Sequence, residues 1–124
     1  MSYSVQQLVT EEGTWVPTWT GFSADPTSVN ARYYVLQNKF CVAELSATAG
    51  TSNATTLTVT LPKTHANTFN ANVPVTTTNS GTRESGLGIF TANSNIFTIA
   101  RVSAAAYTAS GNKLVTFTII YPIN

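Results

Sequence analysis

Apolar and polar residues alternate with a period of two through several stretches of this chain. In Thr56-Leu57-Thr58-Val59-Thr60-Leu61, the three apolar side chains share one face and the three threonines the other, the pattern of a half-buried strand. Val115, Phe117, Ile119 and Tyr121 repeat it before Pro122, and Asn95 to Val102 is a third strong segment. The pattern predicts strands over Trp15 to Thr20, Ala31 to Leu36, Lys39 to Ala47, Thr56 to Leu61, Val73 to Thr78, Ser85 to Thr91, Ile96 to Val102 and Lys113 to Tyr121. Turn clusters separate them, among them Thr78-Asn79-Ser80-Gly81, Asn93-Ser94-Asn95 and Ser110-Gly111-Asn112. About eight antiparallel strands make an all-β chain, expected to fold as a single β-sandwich or jelly-roll domain over 13–124. No repeat of solenoid or propeller length is present.

Composition narrows the partners. The chain has 124 residues, enough for one core and short of two. Thr makes up roughly a sixth of it, and this β-branched residue favours extended backbone while offering a hydroxyl to water. Only 9% of residues are charged and the net charge is +1, so no field exists to hold a polyanion; nucleic acid is not an expected partner. No apolar run reaches the ~18 residues of a membrane span, and Met1 to Gln6 lacks the basic and apolar parts of a signal peptide. Synthesis in the cytoplasm without membrane insertion is the expectation. Lone Cys41, within Phe40-Cys41-Val42-Ala43, reads as a small buried hydrophobe, and the sequon at Asn53 as chance.

Catalytic inventory is thin: Glu11, Glu12, Asp25, Glu44 and Glu84, with one His65. Hydrolytic chemistry needs two placed carboxylates, or a nucleophile with base and orienter, and neither arrangement is visible. Glu11 and Glu12 read as a solvated linker and Asp25-Pro26 as a turn opener. Glu44 would face inward if Val42 does, and would then need Arg32 or Arg101 as a structural partner. His65, in Pro62-Lys63-Thr64-His65-Ala66-Asn67, reads as an exposed loop histidine without a second ligand at metal spacing. Gly86-Leu87-Gly88 lacks the context of a phosphate loop and marks a bulge or the close approach of another chain. No enzyme activity, cofactor or metal is expected.

The segment Gly13-Thr14-Trp15-Val16-Pro17-Thr18-Trp19-Thr20-Gly21-Phe22, followed by Ala31-Arg32-Tyr33-Tyr34-Val35-Leu36-Gln37-Asn38-Lys39-Phe40, resembles a β-rich module of tailed-bacteriophage fibre, spike and head-decoration proteins. The likeness covers roughly the first half of the chain. It implies a virion structural protein made in the bacterial cytoplasm: a short fibre, spike or head fibre, forming a homotrimer and holding other capsid or tail proteins. A receptor-binding module that attaches to a bacterial surface glycan is the alternative. For His65, the alternative to an exposed loop residue is that three copies meet on a threefold axis and hold a metal or an anion, an arrangement that such fibre-like trimers can use.

Residues 1–12 are expected to stand apart as an anchor or linker. Val5, Leu8 and Val9 have the spacing of one amphipathic helical turn, with a tail ordered on binding as the other reading. By the resemblance, Tyr3, Val5, Leu8 and Val9 would dock on a virion partner or pack about the trimer axis. Trp15, Trp19, Phe22, Tyr33 and Tyr34 have two readings. They could build core or subunit interface, or they could stack on sugar rings with Asn30, Asn38, Asp25 and Arg32 supplying hydrogen bonds. Ala104 to Ala109 is a candidate subunit contact or exposed tip. So little charge on so many apolar faces favours an oligomer.

Overall fold

The computed structural model describes residues 8–52, 56–66, 71–103, 105–107 and 111–123. These form ten strands: β1 (Val9–Thr14), β2 (Trp19–Thr20), β3 (Thr27–Leu36), β4 (Phe40–Thr48), β5 (Gly50–Thr51), β6 (Leu57–Thr60), β7 (Ala71–Asn79), β8 (Thr82–Phe90), β9 (Ile96–Arg101) and β10 (Asn112–Pro122). Every pairing is antiparallel, and the order β1-β3-β4-β10-β7-β8-β9-β6-β2 runs through one sheet, with β5 on β10. The chain is therefore all-β, as its alternation predicts. Its two facing halves belong to one sheet curled into a half-barrel.

β10 produces the curl. Lys113 to Thr116 pair with β7, whereas Phe117 to Pro122 pair with β4. Its inward row, Lys113, Val115, Phe117, Ile119 and Tyr121, is buried along its whole length. One half adds Ala31, Val35, Cys41, Ala43 and Leu45; the other adds Leu57, Val59, Val75, Phe90, Phe97 and Ile99. Rings join the halves: Phe117 meets Phe97 edge-on at 5.3 Å between centroids, and Tyr121 lies 5.1 Å from Phe90. Burial lowers the pKa of the Lys113 ammonium and raises that of the Cys41 thiol, so Cys41 is the small core residue expected of it.

Two hairpins have left-handed turns. Gln37 and Asn38 (φ 49° and 57°), followed by Lys39, join β3 to β4, and Ser80 and Gly81 (φ 50° and 82°) join β7 to β8. Positive φ at both central residues gives the twist that adjacent antiparallel strands require.

The free edges of the curled sheet meet across side chains. After β1, the Trp15 N–H donates to the Ala31 carbonyl (3.2 Å) and its indole Nε1–H to the Thr60 carbonyl (3.0 Å), so one residue ties β3 to the end of β6. Glu11 of β1 forms an ion pair with Lys63 (2.6 Å) and accepts a hydrogen bond from the Tyr33 hydroxyl (2.6 Å). Lys63 is held in turn by Tyr121, whose hydroxyl donates to the Lys63 carbonyl and accepts from its N–H.

Several expectations change. Val9 to Glu12 belong to β1, paired with β3, so this part of the 1–12 segment lies in the sheet and no helical turn forms at Leu8 and Val9. Tyr3 and Val5 lie outside the described residues. Only Trp19–Thr20 of the Trp15 to Thr20 segment pairs as strand, because Trp15 to Thr18 cross between edges instead of lying along one. Glu44 faces outward: Cys41, Ala43 and Leu45 take the buried side, and Glu44 pairs with Arg32 (2.7 Å) on the open side. Gly86 and Gly88 mark a close approach within the chain, since the Phe97 ring rests on Gly88.

On the outer face of β3, β4 and β10, cross-strand partners line up in rows. Tyr34, Val42 and Ile120 form one; Leu36, Phe40 and Pro122 form the next; Arg32, Glu44 and Thr118 border them. Phe40 is 45% exposed and Ile120 60%.

A Cβ at Gly88 would overlap the Phe97 ring at the centre of the aromatic cluster. Gly88→Ala should lower stability by about 1–3 kcal/mol through overpacking, read as a fall in the urea midpoint at unchanged slope.

Candidate ligand cleft beside the tryptophans

Two segments far apart in the pairing order converge on a cleft of about 260 Å³. Trp15, Val16, Pro17 and Trp19 come from the crossing between edges, and Asp25, Pro26 and Val29 from the approach to β3 and its first turn of chain. Trp19 is anchored deepest. It pairs with Val59 of β6 and meets Phe22 edge-on at 5.5 Å. Trp15 is half-buried, its ring plane held by the indole bond to Thr60. Val16, between them, is 92% exposed.

The second segment is held by β5. Thr51 donates its N–H to the Ala24 carbonyl (2.9 Å), and the Ser23 N–H donates to the Thr51 carbonyl (3.0 Å). Gly50 lets this happen: a Cβ there would collide with the Ala24 carbonyl and lie 2.7 Å from the Pro26 nitrogen. A side chain of any size at position 50 would lift Asp25 and Pro26 away. Beyond Pro26, the β3–β4 register shifts between Thr27 and Asn30, and Ser28 has φ 50°, a conformation that non-glycine residues adopt at a cost. This bulge accompanies the placement of Val29, 38% exposed, at the cleft.

Three of the five carboxylates form ion pairs. Glu11, Glu44 and Glu84 pair with Lys63, Arg32 and Arg101. Hydrogen bonds from Lys63 and then Tyr33 hold the Glu11 carboxyl below its ordinary range, and the Glu84 carboxylate raises the Arg101 pKa. Among the described residues, Asp25, like Glu12, takes part in no ion pair, and Asp25 is the acidic group that lines the apolar cleft.

The structure divides the proposed aromatic set. Trp15 and Trp19 share the cleft, and Phe22 supports Trp19 from behind. Tyr33 turns toward Glu11 and Lys63, whose Nζ stands 5.7 Å from its ring centroid, and Tyr34 lies on the outer face with Val42. Asn30 and Arg32 line a separate cavity of about 280 Å³ with Glu44, Ser46 and Phe117, and Asn38 sits in the β3–β4 turn. Of the hydrogen-bonding residues named for a sugar face, only Asp25 joins the tryptophans. Val16, Pro17, Pro26 and Val29 line the cleft without having been named as ligand residues; the Asp-Pro turn was the available signal for Pro26, while the bulge that brings Val29 in has none.

His65 is buried rather than exposed. Its ring stacks on Phe90 at 4.7 Å with an 11° interplanar angle, and its backbone bridges to Ile123. Three copies cannot meet on an axis through a side chain enclosed by its own subunit's core. Tyr107, in the alanine-rich segment, is likewise buried, its hydroxyl 2.8 Å from Thr77 Oγ1; Ala104, Thr108 and Ala109 lie outside the described residues.

Burial lowers the His65 pKa below its ordinary value of 6.5, against an opposing backbone hydrogen bond at Ala66. The fold therefore favours the neutral ring. Its stabilising contribution should be complete above about pH 6.5 and decline as pH falls through that value toward the lowered one, because the unfolded chain takes up the proton first. Denaturation midpoints measured from pH 8 to pH 5 should show the decline, and His65→Phe should flatten it. Separately, Trp15→Phe removes the donor to Thr60 and should cost about 1 kcal/mol in the same assay.

Comparison with protein families, with curated proteins and with solved structures returns no match, so the chemistry of this cleft stands on its own residues.

Proposed function

We propose that this chain is a structural protein of a tailed-bacteriophage virion, a short fibre, spike or head decoration that presents a rigid β domain. It assembles as a homotrimer and works without catalysis. The resemblance of Gly13 to Phe22 and Ala31 to Phe40 to such modules motivates the identity. The observation that carries the assembly is the outer face of β3, β4 and β10, where Tyr34, Val42, Ile120, Leu36, Phe40 and Pro122 make two adjoining apolar rows. Such a face on a chain with 9% charged residues is better covered than left in water, and copies of the chain are the occupant that the resemblance suggests. A second reading, attachment to a bacterial surface glycan, is favoured by the cleft at Trp15 and Asp25.

Light scattering coupled to size exclusion should give three times the 13.2 kDa chain mass. The double variant Phe40→Glu, Ile120→Glu should run as a monomer and keep its β-sheet circular dichroism, since both positions are exposed. A wild-type monomer, or a double variant that stays trimeric, would overturn assembly through this face. Removing residues 2–7, which spares β1, should leave a folded domain that no longer joins particles; unchanged incorporation would exclude the anchor role.

A further inference from the structure

We infer that the cleft between Trp15 and Asp25 is a binding site for one uncharged hexopyranose unit, seated with its C–H face on the Trp15 indole and two neighbouring hydroxyls on the Asp25 carboxylate. The inference rests on the glycan-attachment reading and gives that reading a ligand class and an address.

Size sets the first limit. At about 260 Å³ the cleft falls just under the ~300–1,000 Å³ of pockets that enclose drug-sized ligands, so it has room for a single ring and not for an extended chain. Chemistry sets the second. An aromatic wall with prolines and valines around one carboxylate suits a ligand with an apolar face and a hydroxylated edge, which is the build of a pyranose. A peptide would bring backbone amides, and the cleft lining offers few polar side chains to satisfy them. Charge sets the third. Asp25, outside any ion pair among the described residues, repels phosphates, uronic acids and other anions while accepting hydrogen bonds from hydroxyls.

Both contact groups are held before the ligand arrives. The indole bond to Thr60 fixes the ring plane, and the Ala24–Thr51 bridge over Gly50 fixes the backbone that carries Asp25. Little ordering cost then remains at binding. The strained Ser28 bulge fits the same purpose: it interrupts β3 pairing beside Val29, at the lip of the cleft. Exposed Val16 stands at the other segment, where a neighbouring sugar or aglycone would lie.

The test uses the full chain and the methyl pyranosides of glucose, galactose, mannose and N-acetylglucosamine, with methyl glucuronide as the acidic control, followed by ligand-observed saturation-transfer NMR and tryptophan fluorescence. At least one neutral glycoside should bind saturably with a Kd on the order of 1 mM, the glucuronide at least tenfold more weakly. Asp25→Ala should weaken that binding about tenfold, and Val29→Glu should abolish it, both with unchanged thermal melts. No saturable binding by any neutral glycoside, equal binding of the glucuronide, or binding indifferent to both substitutions would overturn the proposal. Should the variants melt early, Asp25→Asn, which keeps the shape and loses the charge, decides through its own titration. Solution mass, measured on the same samples, separates the two readings. A trimer that binds no sugar overturns the site and leaves the assembly; a monomer that binds one upholds the site and overturns the assembly.

Discussion

β10 has to satisfy two halves of a sheet with one inward row of side chains. Alternation along an extended strand gives it one buried face, and the change of pairing from β7 to β4 near Thr116 turns that face from one half toward the other. Val115, Phe117, Ile119 and Tyr121 are then buried from both sides, and the two aromatic members reach Phe97 and Phe90 across the interior. The small residues of the β3–β4 half, Ala31, Cys41 and Ala43, leave the volume that these rings fill. Gly88 does the same under Phe97. The core is thus a division of volume: one half small, the other aromatic, with β10 common to both.

Everything at the seam follows from that curl. Once the sheet bends, β1 and β6 approach closely enough for Glu11 to reach Lys63 and for Trp15 to bond both β3 and Thr60. An exposed ion pair contributes little by itself. Its place here is geometric, as a tie whose partners are each held a second time, Glu11 by Tyr33 and Lys63 by Tyr121. The cleft is a by-product of the same crossing. The chain that leaves β1 to reach β2 must pass the chain that enters β3, and the two run past each other with Trp15 and Asp25 in between.

Strands with alternating Thr and aliphatic residues were legible, because there the period of two is also the burial pattern: Leu57 and Val59 are buried, as are Val115, Phe117, Ile119 and Tyr121. β1 was not. Val-Thr-Glu-Glu-Gly-Thr has no apolar face to read, and it is a strand through main-chain pairing with β3 at a sheet edge. His65 was misread because polar neighbours surround it in sequence, while its burial is decided by Phe90 and Tyr121, remote along the chain. The ion pairs Arg32–Glu44 and Arg101–Glu84 link the residue types expected, although Glu44 makes its pair on the outer surface. As for the cleft, the spacing of Trp15 and Trp19 hinted at a shared face, but Asp25 joins them only through Gly50 and β5, a contact no local pattern encodes.

The position of β10 also bears on how the chain reaches its fold. The strand that both halves need is the last one described, and its partners β4 and β7 were laid down about 70 and 40 residues earlier. Hairpins such as β7–β8 and β3–β4 close locally and early, yet neither can bury its apolar face until β10 inserts between them. Folding of such a chain is governed by the slow search for distant partners, in the millisecond-to-second range of non-local β domains, with half-built sheets exposed in the meantime. A sparing use of charge, useful in the finished molecule, leaves those intermediates with weak mutual repulsion, so the concentration at which the chain is made becomes part of what decides its yield.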